Sequence, residues 1–299
     1  MSLPRWRKGP HTFDESANVL NQLQLPAKPI AAPQESLSNH WPRRCDLFGV
    51  RVSATTYDEV CDSIVAAVRN EQPAVVSFHA VHAIVTSAMD RDLLRKVNEF
   101  DVVAPDGQPV RWALNHLYGA GLPDRVCGPE LMLRLCERAA SEEISIYLYG
   151  SSPETISALC ANLTRRFDRL AIAGAESPPF RKLSPEEDAA MVRRINESGA
   201  GVIFIGLGCP KQDHFAADHR DSILGVQVCV GAAFDFHAGV KKPAPAWMQR
   251  RGLEWVYRLV QEPRRLWRRY LVTNTLFVQK FLFQWGSMWL RGIPSTNDN

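Results

Sequence analysis

Three groups of residues in this chain have types and spacings that could do chemistry. The run Phe100-Asp-Val-Val-Ala-Pro105 is followed by Asp106-Gly107, which puts a carboxylate at a strand-to-loop transition. Glycine there lets the backbone turn or a substrate approach, so this is where a general base would stand. A plain Asp-Gly turn is the alternative. Gly206-Leu-Gly-Cys-Pro-Lys-Gln212 places Gly206 and Gly208 ahead of Lys211 at a helix start, where backbone N–H groups and the helix dipole could hold phosphate. A tight strand-to-helix turn would look the same. The stretch from Gly252 to Tyr270 concentrates arginine: at roughly 100° per residue Arg258, Arg265, Arg268 and Arg269 fall together, with Val256, Val260, Trp267 and Leu271 roughly opposite. Pro263 interrupts this pattern and reads as the first turn of a second helix. The arrangement is either an anion clamp beside an apolar face or a solvated arginine face over a core stripe.

Two tempting metal motifs carry less. His79 and His82 have no acidic partner at a convincing spacing, and Asp90-Arg-Asp92 opens a helical pattern, so capping explains it better. No metal site is expected.

The elements that must position these residues are legible as alternation. Strands are expected near 74–77, 101–104, 144–149, 170–173, 202–205 and 226–230. Helices are expected over 56–70, 128–140, 153–167 and 185–198, the last two opening with Ser152-Pro153 and Ser184-Pro185. This pattern predicts an α/β fold, a Rossmann-like, mainly parallel sheet with flanking helices. Ligands bind beyond the carboxyl ends of such strands. That draws Ser77 and His79, Asp106 and Gly107, Gly150, the 206–212 turn and Asp235 into one candidate site.

Composition bounds the rest. With 299 residues and 45% hydrophobic content the chain can build a substantial core, and a net charge of +3 does not by itself imply nucleic acid. The seven cysteines show no C-x-x-C and no zinc-like spacing, and read as reduced thiols. Residues 1–43 are rich in proline and polar residues, without an apolar signal core, and are expected to be a flexible leader ahead of a core over 44–245. Residues 246–299 are expected to form a basic, aromatic appendage. Its segment 276–290 carries Gln279, Lys280 and Gln284 in its middle, a poor membrane span but a good interfacial one, with Phe281, Trp285 and Trp289 as anchors.

Five ordered blocks between Cys45 and Tyr270 resemble the bacterial glycosyltransferases named after WecG, TagA and CpsF. They are Val102-Val-Ala-Pro-Asp-Gly-Gln-Pro-Val110, Arg125-Val-Cys-Gly-Pro-Glu-Leu131, Gly206 to Gln212, Val230-Gly-Ala-Ala-Phe-Asp235 and Gly252-Leu-Glu-Trp-Val-Tyr-Arg-Leu259. The resemblance implies inverting, metal-independent transfer, without a cofactor, of an N-acetylmannosamine-like sugar from a UDP donor to a lipid-diphosphate-linked sugar. The arginine-rich helix joined to the interfacial segment suggests a protein placed peripherally on the cytoplasmic, anionic face of the bacterial inner membrane, with no nucleic-acid partner and with room for a homo-oligomer. By the resemblance Asp106 matches the base and Gln212 a residue of the sugar or acceptor site. Asp235 matches a donor-pocket residue, and Arg258, Arg265 and Arg268 match arginines that reach the diphosphate. Ser77 and His79 stand at a family threonine and asparagine, and Asp213 at a family glutamate. Two rivals are a nicotinamide oxidoreductase, disfavoured by the lack of G-x-G-x-x-G, and a noncatalytic membrane or nucleic-acid-binding module, which leaves Asp106 and the 206–212 turn unused.

Overall fold

A computed structural model describes residues 41–291, so nearly all of the expected leader lies outside the described residues. The chain opens with a hairpin, β1 (Arg44–Leu47) and β2 (Val50–Ser53), turned by Phe48 and Gly49 at positive φ. Cys45, Leu47, Val50 and Val52 all face inward. This alternation went unread because each run spans only four residues. There follow α1 (Tyr57–Arg69), with a Thr56/Glu59 capping box, then β3 (Ala74–His79), α2 (Val81–Met89), α3 (Arg91–Asn98), β4 (Val102–Pro105) and α4 (Gln108–Tyr118). Next come α5 (Gly128–Ser141), β5 (Ile146–Gly150), α6 (Pro153–Arg166), β6 (Ile172–Glu176), α7 (Pro185–Glu197), β7 (Val202–Gly206), α8 (Lys211–Asp218) and β8 (Val226–Cys229). The last helices are α9 (Ala233–His237), α10 (Ala246–Arg250), α11 (Glu254–Gln261) and α12 (Pro263–Leu290). Asp90 caps α3 by accepting from the N–H groups of Asp92 and Leu93, as expected of the Asp-Arg-Asp sequence.

The six longer-range strands form one all-parallel sheet in the order β4-β3-β8-β7-β5-β6. Successive strand side chains alternate between two cores, which is why the central strands are apolar throughout. One core packs α1, α5, α6 and α9 on the sheet; the other packs α2, α3, α4, α7 and α8, with the hairpin and Phe277 of α12. The carboxyl ends of β3, β4, β5, β7 and β8 therefore share an edge.

The C-terminal helices are tied to this body. Pro263 starts α12 at its first position, as expected, and the helix then runs 28 residues. Leu266, Thr273 and Phe277 are buried, and the Phe277 ring meets Phe48 edge-on at 5.2 Å. Gln284 donates from Nε2 to the Asp46 carbonyl and the Tyr118 hydroxyl, and accepts at Oε1 from the Phe48 N–H. The polar residue in mid-segment is thus a docking latch. The face opposite the arginines is not a core stripe: Val260 is 76% exposed, Trp267 48% and Leu271 62%. None of the described helices is long and apolar enough to cross a membrane.

Because Phe277 is the α12 side chain buried in the core beneath the hairpin, Phe277→Ala should remove about 3–5 kcal/mol of packing. Amide exchange should quicken along α12 while the sheet amides keep their protection. Uniform change in both would show that α12 and the sheet open together.

Candidate active site

Asp106 stands one residue past β4. Its N–H donates to the His79 carbonyl at the end of β3, and Gly107, at φ +88°, turns the chain into α4. The side chain is three-quarters buried in a cleft of about 240 Å³, walled on the far side by α11 and α12. No hydrogen bond to its carboxylate occurs among the described residues; its one ionic neighbour is Arg125 Nη1, 3.7 Å from Oδ1. That leaves the oxygens free for a ligand.

Arg125 sits on a loop latched to the body: its N–H donates to Asp124 Oδ1, Gln108 Nε2 donates to the same oxygen, and the Val126 N–H donates to the Pro105 carbonyl. Its guanidinium donates to Glu254 Oε2 at 2.6 Å and Gln249 Oε1 at 2.9 Å. Glu254 Oε1 accepts from Arg258 Nη2 at 2.9 Å. The result is a row of alternating charge, Asp106, Arg125, Glu254, Arg258, that joins the sheet edge to α11. Burial pushes the Asp106 carboxyl up to about 6, partly offset by Arg125 and reinforced by Glu254. Burial also pushes His82, across the cleft, down to about 4, with the Arg269 charge adding to it; His82 is a neutral imidazole near Thr86 Oγ1. A carboxylate poised near neutrality beside arginines suits proton abstraction and anion stabilisation.

Beneath the cleft lies a buried polar knot. β3 runs to His79, further than the sequence pattern indicated, so Ser77 and His79 belong to the strand and are buried. Ser77 Oγ donates to Asp213 Oδ1 at 2.7 Å, and His79 Nε2 lies 3.3 Å from the same oxygen. Burial alone would raise the Asp213 carboxyl, but His79, Ser77 and Cys209 hold it below its ordinary value. Gln212 is buried with both ends of its amide engaged: Oε1 accepts from the Gly208 N–H and Nε2 donates to the Cys229 carbonyl. It clips the turn after β7 to β8.

The glycines do the same by absence. A Cβ on Gly150 would lie 2.7 Å from the Gly206 backbone, and one on Gly206 2.5 Å from the Phe234 ring, so the ends of β5 and β7 meet at backbone distance. Gly208 takes φ +77° with open space around it. Lys211 is exposed at the start of α8. Asp235 is held by Lys241 at 2.9 Å and approached by Ser151 Oγ at 3.5 Å.

The arginines divide differently from the single wheel, because α12 starts afresh at Pro263. Arg265 and Arg269, one turn apart, point to a second, smaller cleft that also receives Arg258, Lys241 and Lys242. Arg258 and Arg269 line both clefts. Arg268 lines neither and stacks on the exposed Trp267 ring at 5.2 Å. Arg258 is occupied by Glu254 and Arg265 by Glu262, whereas the Arg269 Nε is buried without a hydrogen-bond partner and no ion pair engages this side chain among the described residues. Burial, with Arg265 and Arg258 near it, lowers its pKa. A guanidinium in this position is a vacant anion ligand. Arg125, Glu254 and Arg269 are thus site residues that the candidate set above does not contain. Arg125 and Glu254 sit within blocks quoted for the resemblance, and Arg269 on the arginine face, but nothing local marks Arg125 and Glu254 as partners. Among the described residues no group of three His, Cys, Asp or Glu could hold a metal, and all seven cysteines are free.

Together these residues make a candidate active site at the carboxyl edge of a parallel α/β sheet. The profile of the Glycosyl transferase WecG/TagA/CpsF family matches residues 45–290, and the chain belongs to that family of glycosyltransferases.

Asp106→Asn should cut turnover by about 10² to 10⁴. For the unmodified protein the rate should rise with pH through about 6, as the carboxyl ionises, and then level. Since the folded carboxyl binds its proton more tightly than the unfolded one, ionising it costs stability as pH climbs through that range. The Asn variant should therefore equal or exceed the parent in melting temperature at pH 8. Normal turnover in that variant would remove Asp106 from the chemistry.

Proposed function

We propose that this glycosyltransferase moves an N-acetylmannosamine-like sugar from a UDP donor to a hydroxyl of a lipid-diphosphate-linked sugar, with inversion. The observation that carries the reading is the pairing, across one cleft, of an unbonded carboxylate, Asp106, with an unpaired guanidinium, Arg269. Asp106 takes the proton from the acceptor hydroxyl as its oxygen bonds to the sugar's anomeric carbon. The bond to UDP breaks on the opposite face, and its electrons pass to the diphosphate. A single displacement of this kind inverts the centre. Arg258, Arg265 and Arg269 receive the developing charge, and arginine forks onto phosphate oxygens without needing a metal. Gly208, with open space around it, offers its backbone to the donor, Gly150 and Gly206 let the ends of β5 and β7 close up behind it, Gln212 and the Ser77–His79–Asp213 knot fix that edge, and Lys211 and Asp235 stand at its rim.

The acceptor's lipid suits the outer face of α12. Trp267, Leu271, Leu282 and Trp289, spaced by four, eleven and seven residues, form one exposed stripe along the helix, while Trp285 rests on His116 at 5.5 Å between rings and Val278 lines the cleft. Phe281 turns inward to His116, at 5.7 Å between rings, so Phe283, 80% exposed, replaces it as an anchor. Arg264, Arg268 and Lys280 supply positive charge beside apolar surface, as an anionic membrane face requires.

UDP-sugars offered with a lipid-diphosphate N-acetylglucosamine acceptor should give product of inverted anomeric configuration, and EDTA should leave the rate largely intact. Arg269→Ala should lower kcat/KM about 10- to 150-fold, the worth of one charge-assisted hydrogen bond, while Arg268→Ala should change it little; the reverse order would refute the assignment of the vacant ligand. Replacing Phe283 and Trp289 together by Ala should release the protein from anionic vesicles in flotation and spare turnover on a short-chain acceptor. Undiminished flotation would place the membrane contact elsewhere.

A further inference from the structure

We propose that Glu254 is a positioning residue for the reaction: together with Gln249 it holds the Arg125 guanidinium off Asp106, so that the base is free only when α10 and α11 are docked. The inference rests on the reading of Asp106 as the base. Its geometry is a competition for one cation. Arg125 Nη1 lies 2.6 Å from Glu254 Oε2 but 3.7 Å from Asp106 Oδ1. Nη2 donates to Gln249 Oε1, and Gln249 is itself braced by donating from Nε2 to the Ala244 carbonyl at 2.7 Å. Both restraining acceptors come from the C-terminal helices. The backbone of Arg125 is fixed by Asp124 and Pro105, which belong to the body. Only 10% of the Arg125 side chain is exposed, so water cannot replace a lost partner well. With Glu254 gone, the carboxylate left within reach is Asp106. A guanidinium closed onto Asp106 would occupy the oxygen that must take the acceptor's proton and would weaken it as a base.

The other charged or titratable groups around Asp106 do not offer Arg125 an alternative. His79 lies beneath on β3, Tyr57 of α1 and Cys127 lie beside it, and their hydroxyl and thiol are paired with each other at 3.2 Å. Arg258 faces it from α11 and, with His82 and Arg269, lines the cleft. None of these is a second anion for Arg125. Glu254 is thus the one acid holding the guanidinium away among the described residues.

The test is the titration of the Asp106 carboxyl itself, followed by carbon NMR in the full-length protein, in parallel with pH–rate profiles. In Glu254→Gln the midpoint should fall by about 1 to 3 pH units, the effect of an opposite charge closing to ion-pair distance. The acid limb of the rate profile should fall with it, and the plateau rate should drop about tenfold as the base weakens. Glu254→Asp, which keeps the charge, should restore most of both. The decisive arm is the Arg125→Gln background, where adding Glu254→Gln should barely move the midpoint. An equal fall in both backgrounds would mean that Glu254 acts by direct repulsion alone, and an unchanged midpoint in Glu254→Gln would end the proposal outright. Because the titration needs no turnover, its outcome stands apart from the Asp106→Asn rate test of the base itself.

Discussion

The constraint on which this molecule depends is that its parallel sheet brings six strand ends to one edge and must keep polar groups there with little water. Parallel sheets bury both faces, so a charge placed at the edge is half-desolvated from the start. Nearly every buried polar side chain at the edge can be understood as an answer to that cost. Ser77 and His79 share one oxygen of Asp213, with His79 Nδ1 and Asp213 Oδ2 left buried and unbonded among the described residues; Gln212 spends both ends of its amide on backbone, and Arg125 reaches across to Glu254. Asp106 is left with least, and it is the group aimed into the cleft.

The charge row from Asp106 to Arg258 also makes the C-terminal helices part of the site. Glu254 lies between two arginines, one from the body and one from its own helix, and the three together are held well below full exposure. Truncating any member leaves an uncompensated neighbour in a poorly solvated place, which is costlier than losing a surface ion pair. Phe277 of α12 lines the same cleft as Asp106, so the docked helix pair forms the wall that the carboxylate faces.

How much of this was legible in the sequence follows from how local each signal is. Five of the six sheet strands read to within two residues because runs such as Val202 to Ile205 are apolar on both faces, whereas the half-exposed β6 runs three residues past its expected end; the helices over 153–166 and 185–197 announced themselves with a capping serine and a first-turn proline. The place of Asp106 was readable because an acid directly after a strand of a parallel sheet stands at the carboxyl edge, although Asp-Gly alone fits a plain turn equally well. Glu254 was not, since its partner is 129 positions away and nothing nearby marks it. Arg269 was obscured by treating two helices as one wheel: once Pro263 resets the phase, Arg269 turns in and Arg268 turns out. Gln284 looked like a polar interruption in an interfacial segment, and only the tertiary contact shows it as a latch.

That latch closes a long circuit. Gln284 bonds Phe48 and Asp46, 236 and 238 positions earlier, so the first described strands wait for nearly the last described turn of helix. During synthesis the N-terminal hairpin and the sheet can form as the chain emerges, but the outer side of the hairpin stays wet until α12 arrives. Arg258, Arg265 and Arg269 reach the clefts only as that final stretch folds. A chain made from its N-terminus thus has the sheet before it has the far wall of the cleft.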